Sequence, residues 1–283
     1  MRQSTSSVGG HFGELLQGRL GPGGPLALVT LPAPALRVVA EIRPGPFGVH
    51  AAGGQRLLDR RQAADVHRAV ARGVPRGRLM LRAGMPAGGG AGSSTAAILA
   101  AAAACARAHG RPAGEPDDLA ALCLRLEGAT DPLMYPDPAR LLWNPRAARR
   151  LADLPGLPAL DVVGGFLGPG MRTDPADLDF ADIADLAAAW APAAALGDLA
   201  SLAALATESA RRNAARRGGP DLAPLLAAAR QFGALGVVAA HTGSARGLIF
   251  APGSAPGAAL AALRALGLRA VRHFRLGRGR PLR

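Results

Sequence analysis

The sequence predicts an α+β chain of two lobes. Segments with the length and breakers of strands occur in the first eighty residues and again near the C-terminus, and segments of helical periodicity fill much of the region between them. The 283 residues are enough for one large domain or two moderate ones. Hydrophobic residues make up 49% of the chain and aromatic residues 4%, so Ala, Leu and Val must build the core. We place the boundary within 156–174 and expect domains at 1–155 and 156–283.

The N-terminal third is rich in Gly, Pro and β-forming residues, which bound short apolar runs. These runs predict strands over 26–32, 36–44 and 76–84. A helix is expected over 59–73, where apolar residues recur at helical spacing.

A second group of elements follows the glycine-rich stretch that begins at residue 86. Helices are expected from that stretch to residue 109 and over 116–128, where acids occupy the first turn and a glycine lies near the end. A strand is expected over 159–168. The remaining expected elements are helices over 183–190, 199–217, 221–231 and 257–267, a strand, turn and strand over 235–253, and a closing strand over 269–277.

The charge of the chain is strongly positive, with a formal net value of +13, and all 33 basic residues are arginine. The absence of lysine excludes a Walker-type phosphate loop and Schiff-base chemistry. Arginine density rises near 146–150, 211–217 and 272–283, but the arginines are otherwise scattered. Only one Tyr and two Trp are available for base stacking, so the sequence disfavours nucleic acid as a partner. The charge suits anionic small substrates or solubility equally well.

The expected compartment is the cytoplasm. Cys105 and Cys123 are the only cysteines, and both lie in apolar helical patterns typical of buried thiols in a reducing environment. The N-terminus is polar and carries no signal-peptide pattern. The longest apolar run, 96–106, has 11 residues, which is too short to cross a bilayer, so we expect no membrane association.

The stretch "PAGGGAGSSTA", from Pro86 to Ala96, carries the strongest chemical signal. Glycines allow positive φ values and close approach of the backbone to a ligand. The helix that follows offers unpaired N–H groups and a partial positive charge, and together these features predict a phosphate site. The hydroxyls that follow can cap the helix, bind phosphate oxygens or hold Mg²⁺. A glycine turn capped by serine, without any ligand, is the alternative.

This stretch resembles the second motif of the GHMP kinases, the superfamily of galactokinase, homoserine kinase and mevalonate kinase, with Ala91 in place of Leu and Thr95 in place of Ala. "VGGHFGELLQG" (8–18) resembles the first motif, and "AAHTGSARGLIF" (239–250) resembles the third. The three motifs occur in the family's order over nearly the whole chain. The resemblance implies a two-lobed fold, with an N-terminal β/α lobe like ribosomal protein S5 and a C-terminal α/β sandwich lobe.

Finer features resemble one branch, the L-threonine kinases of cobalamin synthesis and propanediol utilisation, which phosphorylate the threonine hydroxyl with ATP. They are "GELLQG", "EGATDP" (127–132) and "FGALGVVAAHTGSARGLIF" (232–250), and the resemblance is looser over 135–199. The implied ligands are ATP, Mg²⁺ and a small hydroxylated amino acid or alcohol, and a homodimer is compatible with the sequence. Homoserine, ethanolamine or another small alcohol remains an alternative acceptor. A catalytically silent GHMP-like binding protein remains an alternative of another class, whereas a serine hydrolase lacks its nucleophile motif.

The glycine stretch and the resemblance together assign the site residues. The expected ATP and phosphate site consists of Pro86, Gly88, Gly89, Gly90, Ala91, Gly92, Ser93, Ser94 and Thr95. The resemblance implies that Ser94 and Glu127 hold Mg²⁺ and that Asp131 is the catalytic base. The alternatives are a solvated acid at a helix end for Glu127 and a turn former for Asp131.

Substrate contacts are expected from Glu14, Gln17, Thr242, Gly243 and Ser244. A carboxylate at position 14 suits an amino group, and Gln17 suits a polar substrate. Two interpretations are open for the arginine of the third motif, Arg246: contact with the transferred phosphate, or a place on the surface. The six histidines show no paired metal spacing, and only His241 lies within the third motif.

Overall fold

The computed structural model describes residues 2–171, 174–217 and 221–277, so part of the arginine-rich tail predicted over 272–283 lies outside the described residues. The helices are α1 (Arg60–Ala71), α2 (Ser93–Ala108), α3 (Pro116–Glu127), α4 (Ala184–Ala195), α5 (Leu199–Arg217), α6 (Ala223–Phe232) and α7 (Ala258–Ala265). The strands are β1 (Ser4–Arg19), β2 (Leu26–Arg43), β3 (Gly48–Ala51), β4 (Arg78–Ala83), β5 (Leu141–Asn144), β6 (Arg149–Asp153), β7 (Leu160–Phe166), β8 (Gly236–Ala239), β9 (Ala245–Phe250) and β10 (Arg269–Leu276).

All ten strands belong to one sheet, whose order is β10-β7-β9-β8-β1-β2-β4-β3, with β5 and β6 extending from β2. β3 and β4 are parallel and the other paired strands are antiparallel. β1 joins the two parts of the chain because it pairs with β2 on one side and, at Glu14, with Ala239 of β8 on the other. The sheet therefore continues across the position where the sequence places the domain boundary.

Helix α2 lies at the centre of the larger core and packs against β1, β2 and α1. Nearly all of its residues are buried, which the run of alanines permits because small side chains let a helix approach a sheet closely. A second core packs α6 and α7 against the sheet around β7, β8 and β9. Both cysteines are buried and free, as the sequence predicted.

Four features of the strands differ from the sequence-based expectation, and one of them is that β3 was not predicted. β1 was not predicted, because its first half mixes glycines with polar residues and shows no clear alternation. The two strands predicted over 26–44 are one strand, which passes through Pro32 and Pro34 beside shifts in the β1–β2 register. Prolines are tolerated in strands at such irregularities. β5 and β6 also lie within the region predicted to be mainly helical.

Three of the four arginines over 211–217 pair with acidic residues. Arg212 binds both carboxylate oxygens of Asp185, at 2.6 and 2.7 Å. Arg216 binds Asp179, and Arg217 binds Asp177. These ion pairs balance part of the positive charge of this segment. Among the described helices, none combines the length and apolar character that a membrane span requires.

Candidate active site

A cavity of about 300 Å³ lies where the glycine stretch, the start of α2, the end of α3 and β1 meet. This volume suits a small molecule. The predicted site residues that line the cavity are Glu14, Gln17, Gly88, Gly90, Ala91, Gly92, Ser93, Ser94, Thr95, Glu127, Asp131 and Thr242. Pro86, Gly89, Gly243 and Ser244 are not among the lining residues. The structure therefore brings most of the predicted residues into one space.

The carbonyl groups of the glycine stretch are turned toward neighbouring segments. The carbonyl of Gly90 accepts from the Gly13 amide at 3.0 Å, and that of Ala91 accepts from the His11 amide at 3.1 Å. Positive φ values at Gly88, Gly90 and Gly92, between 66° and 71°, allow this path of the backbone.

The amide groups of the same stretch are oriented differently. In residues 2–171, 174–217 and 221–277, no backbone carbonyl accepts a hydrogen bond from the amides of residues 90–95. These six amides lead into the first turn of α2, whose partial positive charge adds to theirs. The stretch therefore offers several hydrogen-bond donors to an anion at the cavity wall.

The turn of the third motif supports the glycine stretch from behind. The amides of Ser244 and Ala245 both donate to the carbonyl of Gly89, at 3.0 and 2.9 Å. A Cβ atom at Gly243 would lie 2.6 Å from the carbonyl carbon of Gly89, so only glycine fits there. The small residues thus allow the close approach that the sequence predicted. Thr242 is the member of this turn that reaches the cavity.

Arg246 occupies neither of the positions considered for it from the sequence. It is buried, with 7% of its surface exposed, and does not line the cavity. Its Nη1 group donates to the carbonyls of Ala240 and Ala245, at 3.2 and 2.7 Å. Burial lowers the pKa of this guanidinium. The side chain therefore fixes the shape of the third turn, which in turn supports the glycine stretch.

Glu127 and two hydroxyl groups form an oxygen-rich cluster at the cavity wall. Thr95 Oγ1 donates to Glu127 Oε1 at 2.6 Å, and Ser94 also hydrogen-bonds to this carboxylate. Burial of Glu127 raises its pKa to about 8, and the hydroxyl hydrogen bonds oppose this shift. The solvated acid at a helix end considered from the sequence does not describe Glu127, because its carboxylate is partly buried and accepts from hydroxyl groups. A partly buried carboxylate beside hydroxyls supplies the hard oxygen ligands that Mg²⁺ prefers, so the residues fit this ion.

Asp131 contacts a histidine that the sequence analysis set aside. His11 Nε2 donates to Asp131 Oδ2 at 3.0 Å, and His11 Nδ1 donates to the carbonyl of Gly13 at 3.2 Å. Burial by itself lowers the pKa of His11, but the charges of Asp131 and Glu14 outweigh it and raise the pKa to about 9. His11 is therefore an imidazolium at neutral pH. Its place two residues before the Gly-Glu pair of the first motif is the only sequence signal for this role.

Glu14 and Gln17 bring further acceptor groups to the cavity. Glu14 is buried, and desolvation raises its pKa to about 7, against the opposing charge of His11. The Oε1 atom of Gln17 is buried and has no hydrogen-bond partner among the described residues. His241 lies behind Glu14, with 3.9 Å between His241 Nδ1 and Glu14 Oε2. Burial, together with the charges of Arg246 and Arg217, lowers the pKa of His241 to about 3, so this ring is neutral.

Two guanidinium groups, those of Arg56 and Arg146, also line the cavity. Neither arginine was predicted as a site residue, because neither lies in one of the three motifs. Their charge adds to the partial positive charge of the main-chain amides. Because the chain has no lysine, these amides were expected to supply most of the positive potential.

Two family models match the sequence. The model described as the GHMP kinases N terminal domain matches residues 60–134, and that of the GHMP kinases C terminal region matches residues 190–268. Together they span more than half of the chain. No curated protein gives a significant match.

Solved structures show the same fold over almost the full length. Mevalonate kinase from methicillin-resistant Staphylococcus aureus is 16% identical, with a TM-score of 0.66 over 98% of this chain and 99% of that one. Phosphomevalonate kinase from Streptococcus pneumoniae is 11% identical, with a TM-score of 0.65 and the same coverage. Homoserine kinase from Cytophaga hutchinsonii is 14% identical, with a TM-score of 0.58 over 96% of this chain and 94% of that one. At these identities, the likeness establishes the two-domain fold alone.

Proposed function

This chain belongs to the GHMP kinases and is a phosphotransferase, and on that premise we propose that it transfers the γ-phosphoryl group of ATP to the hydroxyl group of L-threonine. The proposed products are ADP and O-phospho-L-threonine. The proposed pathway is cobalamin synthesis, which the resemblance implies. The observation that carries it is the convergence, in one cavity, of an array of unpaired amides and the carboxylate of Asp131. The three motifs and "EGATDP" support threonine as the acceptor.

The glycine stretch binds the phosphates of ATP in this proposal. Its amides and the positive end of α2 face the cavity, so they stabilise negative charge without rearranging during the reaction. The turn at Gly243 keeps the stretch in this shape through its contacts with Gly89. Phosphoryl transfer depends mainly on positioning and charge stabilisation, which a preorganised backbone supplies.

Ser94 and Glu127 would hold Mg²⁺, with the hydroxyl of Thr95 beside them. The ion, when bound, neutralises charge on the phosphate oxygens.

Asp131 accepts the proton of the threonine hydroxyl as the new O–P bond forms and the bond from phosphorus to the ADP oxygen breaks. Asp131 Oδ2 is already bonded to His11, which leaves Oδ1 for the substrate. The imidazolium of His11 also holds the Asp131 carboxylate in place at the cavity wall. Glu14 and Gln17 are proposed to bind the ammonium group of the amino acid, since both residues line the cavity and both carry acceptor oxygens.

An acceptor panel tests the proposal. The protein is incubated with ATP and Mg²⁺ together with L-threonine, L-homoserine, L-serine or ethanolamine, and ADP release is compared with the amount of phosphorylated product. We expect threonine to give the highest kcat/KM and a stoichiometric phosphate ester. Preference for homoserine or ethanolamine would keep the kinase activity and overturn the acceptor. Binding of ATP without transfer to any acceptor would favour the silent binding protein.

A further inference from the structure

Arg146 lies in the turn after β5 and is attached to the segment that carries Asp131. The carbonyl of its neighbour Pro145 accepts from the amide of Thr130 at 3.0 Å. The side chain of Asn144 accepts from the Arg146 amide at 3.0 Å and fixes the turn. The guanidinium of Arg146 lines the cavity that also contains Asp131. The backbone thus holds this side chain close to the proposed base.

The charge of Arg146 has no carboxylate partner within salt-bridge distance in the part of the chain that the structure describes. Its Nη2 group donates to two neutral acceptors, the carbonyls of Asp174 and Asp177, at 2.9 and 3.1 Å. The side chain of Asp177 instead pairs with Arg217.

The Nε atom of Arg146 is buried and donates to no described group. Burial is also the main influence on the pKa of Arg146, which it lowers. A partly desolvated guanidinium with an unused donor is unfavourable unless an anion completes it, because unsatisfied buried charge costs free energy. Because Arg146 also lines the cavity, its guanidinium is a candidate partner for an anion bound there.

Two anions are available in the proposed reaction: the phosphates of ATP and the carboxylate of an amino acid. The phosphates already have the amides of residues 90–95 as donors. The charge of Asp131 acts on Arg146, although less strongly than the charges of Asp177 and Asp174, and it also acts on the buried carboxylate of Glu14. A guanidinium and a carboxylate near one base are complementary to the carboxylate and the ammonium group of a zwitterion.

We propose that Arg146 binds the α-carboxylate of the acceptor, so that the enzyme selects α-amino acids that carry a hydroxyl group and rejects amino alcohols without a carboxylate. This inference rests on the proposed kinase function and deepens it. Guanidinium and carboxylate groups match in geometry and form paired, charge-assisted hydrogen bonds. A site that binds a substrate group in this way discriminates strongly against analogues that lack the group.

The test compares L-threonine with 1-amino-2-propanol, which keeps the hydroxyl and the ammonium group but lacks the carboxylate. Wild type is expected to prefer threonine by at least about 100-fold in kcat/KM. In Arg146→Gln, the KM for threonine is expected to rise about 100-fold, while the KM for ATP and the activity toward 1-amino-2-propanol stay unchanged. Arg146→Lys, which keeps the charge but loses the paired geometry, is expected to lie between the two. Arg149→Gln, at an exposed arginine on β6, is the matched control and should resemble wild type.

Equal use of the two acceptors by wild type would overturn the role of Arg146 and leave the kinase function intact. An increase in the KM for ATP instead of the KM for threonine in Arg146→Gln would assign this guanidinium to the nucleotide and also overturn the proposal. If wild type phosphorylates no acceptor, the kinase function itself fails. Calorimetric binding of threonine then still tests Arg146, because binding that Arg146→Gln does not weaken contradicts the assignment. Unchanged thermal unfolding of Arg146→Gln excludes a general loss of structure.

Discussion

His11 and Asp131 are 120 residues apart in the sequence and meet at the wall of the cavity, with 3.0 Å between His11 Nε2 and Asp131 Oδ2. The histidine is buried, whereas the carboxylate reaches the cavity. The hydrogen bond from His11 fixes the position of the carboxylate that we propose as the base. Four predictions test this pair and the groups around it.

The first prediction concerns the ionisation of His11. We expect its pKa to be about 9 in the wild-type protein and to fall below 6.5 in Asp131→Asn, where burial acts without its main opposing charge. Because the pKa is higher in the folded protein than in the unfolded chain, the ion pair contributes stability below about pH 6.5 and loses it as the pH rises through about 9.

NMR titration of the histidine ring protons measures this pKa directly. His241, whose pKa lies near 3, provides an internal comparison because it stays neutral over the same range. Titration of His11 near 6.5 in both the wild type and Asp131→Asn would show that the two side chains do not interact.

The second prediction concerns catalysis by Asp131. Asp131→Asn is expected to lower kcat by roughly 10²–10⁴-fold with little change in the affinity for ATP, because the amide cannot accept the hydroxyl proton. The measurement is steady-state kinetics together with equilibrium binding of ATP. Asp137→Asn, at an exposed carboxylate a few residues later, serves as the control and should keep the wild-type kcat. Near-normal turnover of Asp131→Asn would remove this residue from the role of base.

The third prediction concerns the contact between the third turn and the glycine stretch. Gly243→Ala is expected to weaken ATP binding by at least about 10-fold and to lower the melting temperature. Gly243 has a φ of +109°, and its added Cβ would press on Gly89. Gly257→Ala is the matched control, since its φ is −56° and a Cβ there meets nothing within 4 Å. Equal ATP affinity in the two variants would show that the turn does not shape the phosphate site.

The fourth prediction concerns the ion. Glu127→Gln is expected to raise the Mg²⁺ concentration for half-maximal activity by about 10-fold or more, because a neutral amide is a weaker ligand than a carboxylate. The measurement is the dependence of the rate on free Mg²⁺ at saturating ATP. Glu115→Gln changes an exposed carboxylate at the start of α3 and should leave this dependence unchanged. The same Mg²⁺ dependence in both variants would exclude Glu127 as a ligand.

Local sequence patterns predicted the parts of the molecule that local interactions determine. The helix from Ser93 follows from the glycines before it and the alanines within it, and its N-terminus is the feature from which the sequence predicts a phosphate site. The approach of Gly243 to the glycine stretch was also accessible, because only small residues permit such a contact.

Contacts between segments that are far apart in the sequence could not be predicted from local patterns. The role of His11 could not be predicted from its residue type, because its ionisation depends on Asp131, which is close to it only in the folded chain. Arg146 was one arginine among 33, and only the three-dimensional structure shows that it lines the cavity and that its buried Nε atom has no partner among the described residues. β1 was missed because bulges and pairing on both edges, rather than an alternating pattern, determine it.

The most direct test of the central claim is ³¹P NMR of the complete reaction with ATP, Mg²⁺ and L-threonine. Transfer to the hydroxyl predicts that the γ-phosphate signal is replaced by one equivalent of a phosphomonoester signal that coincides with authentic O-phospho-L-threonine, with little inorganic phosphate. Inorganic phosphate alone, or an unchanged ATP spectrum in the presence of folded protein, would contradict the claim.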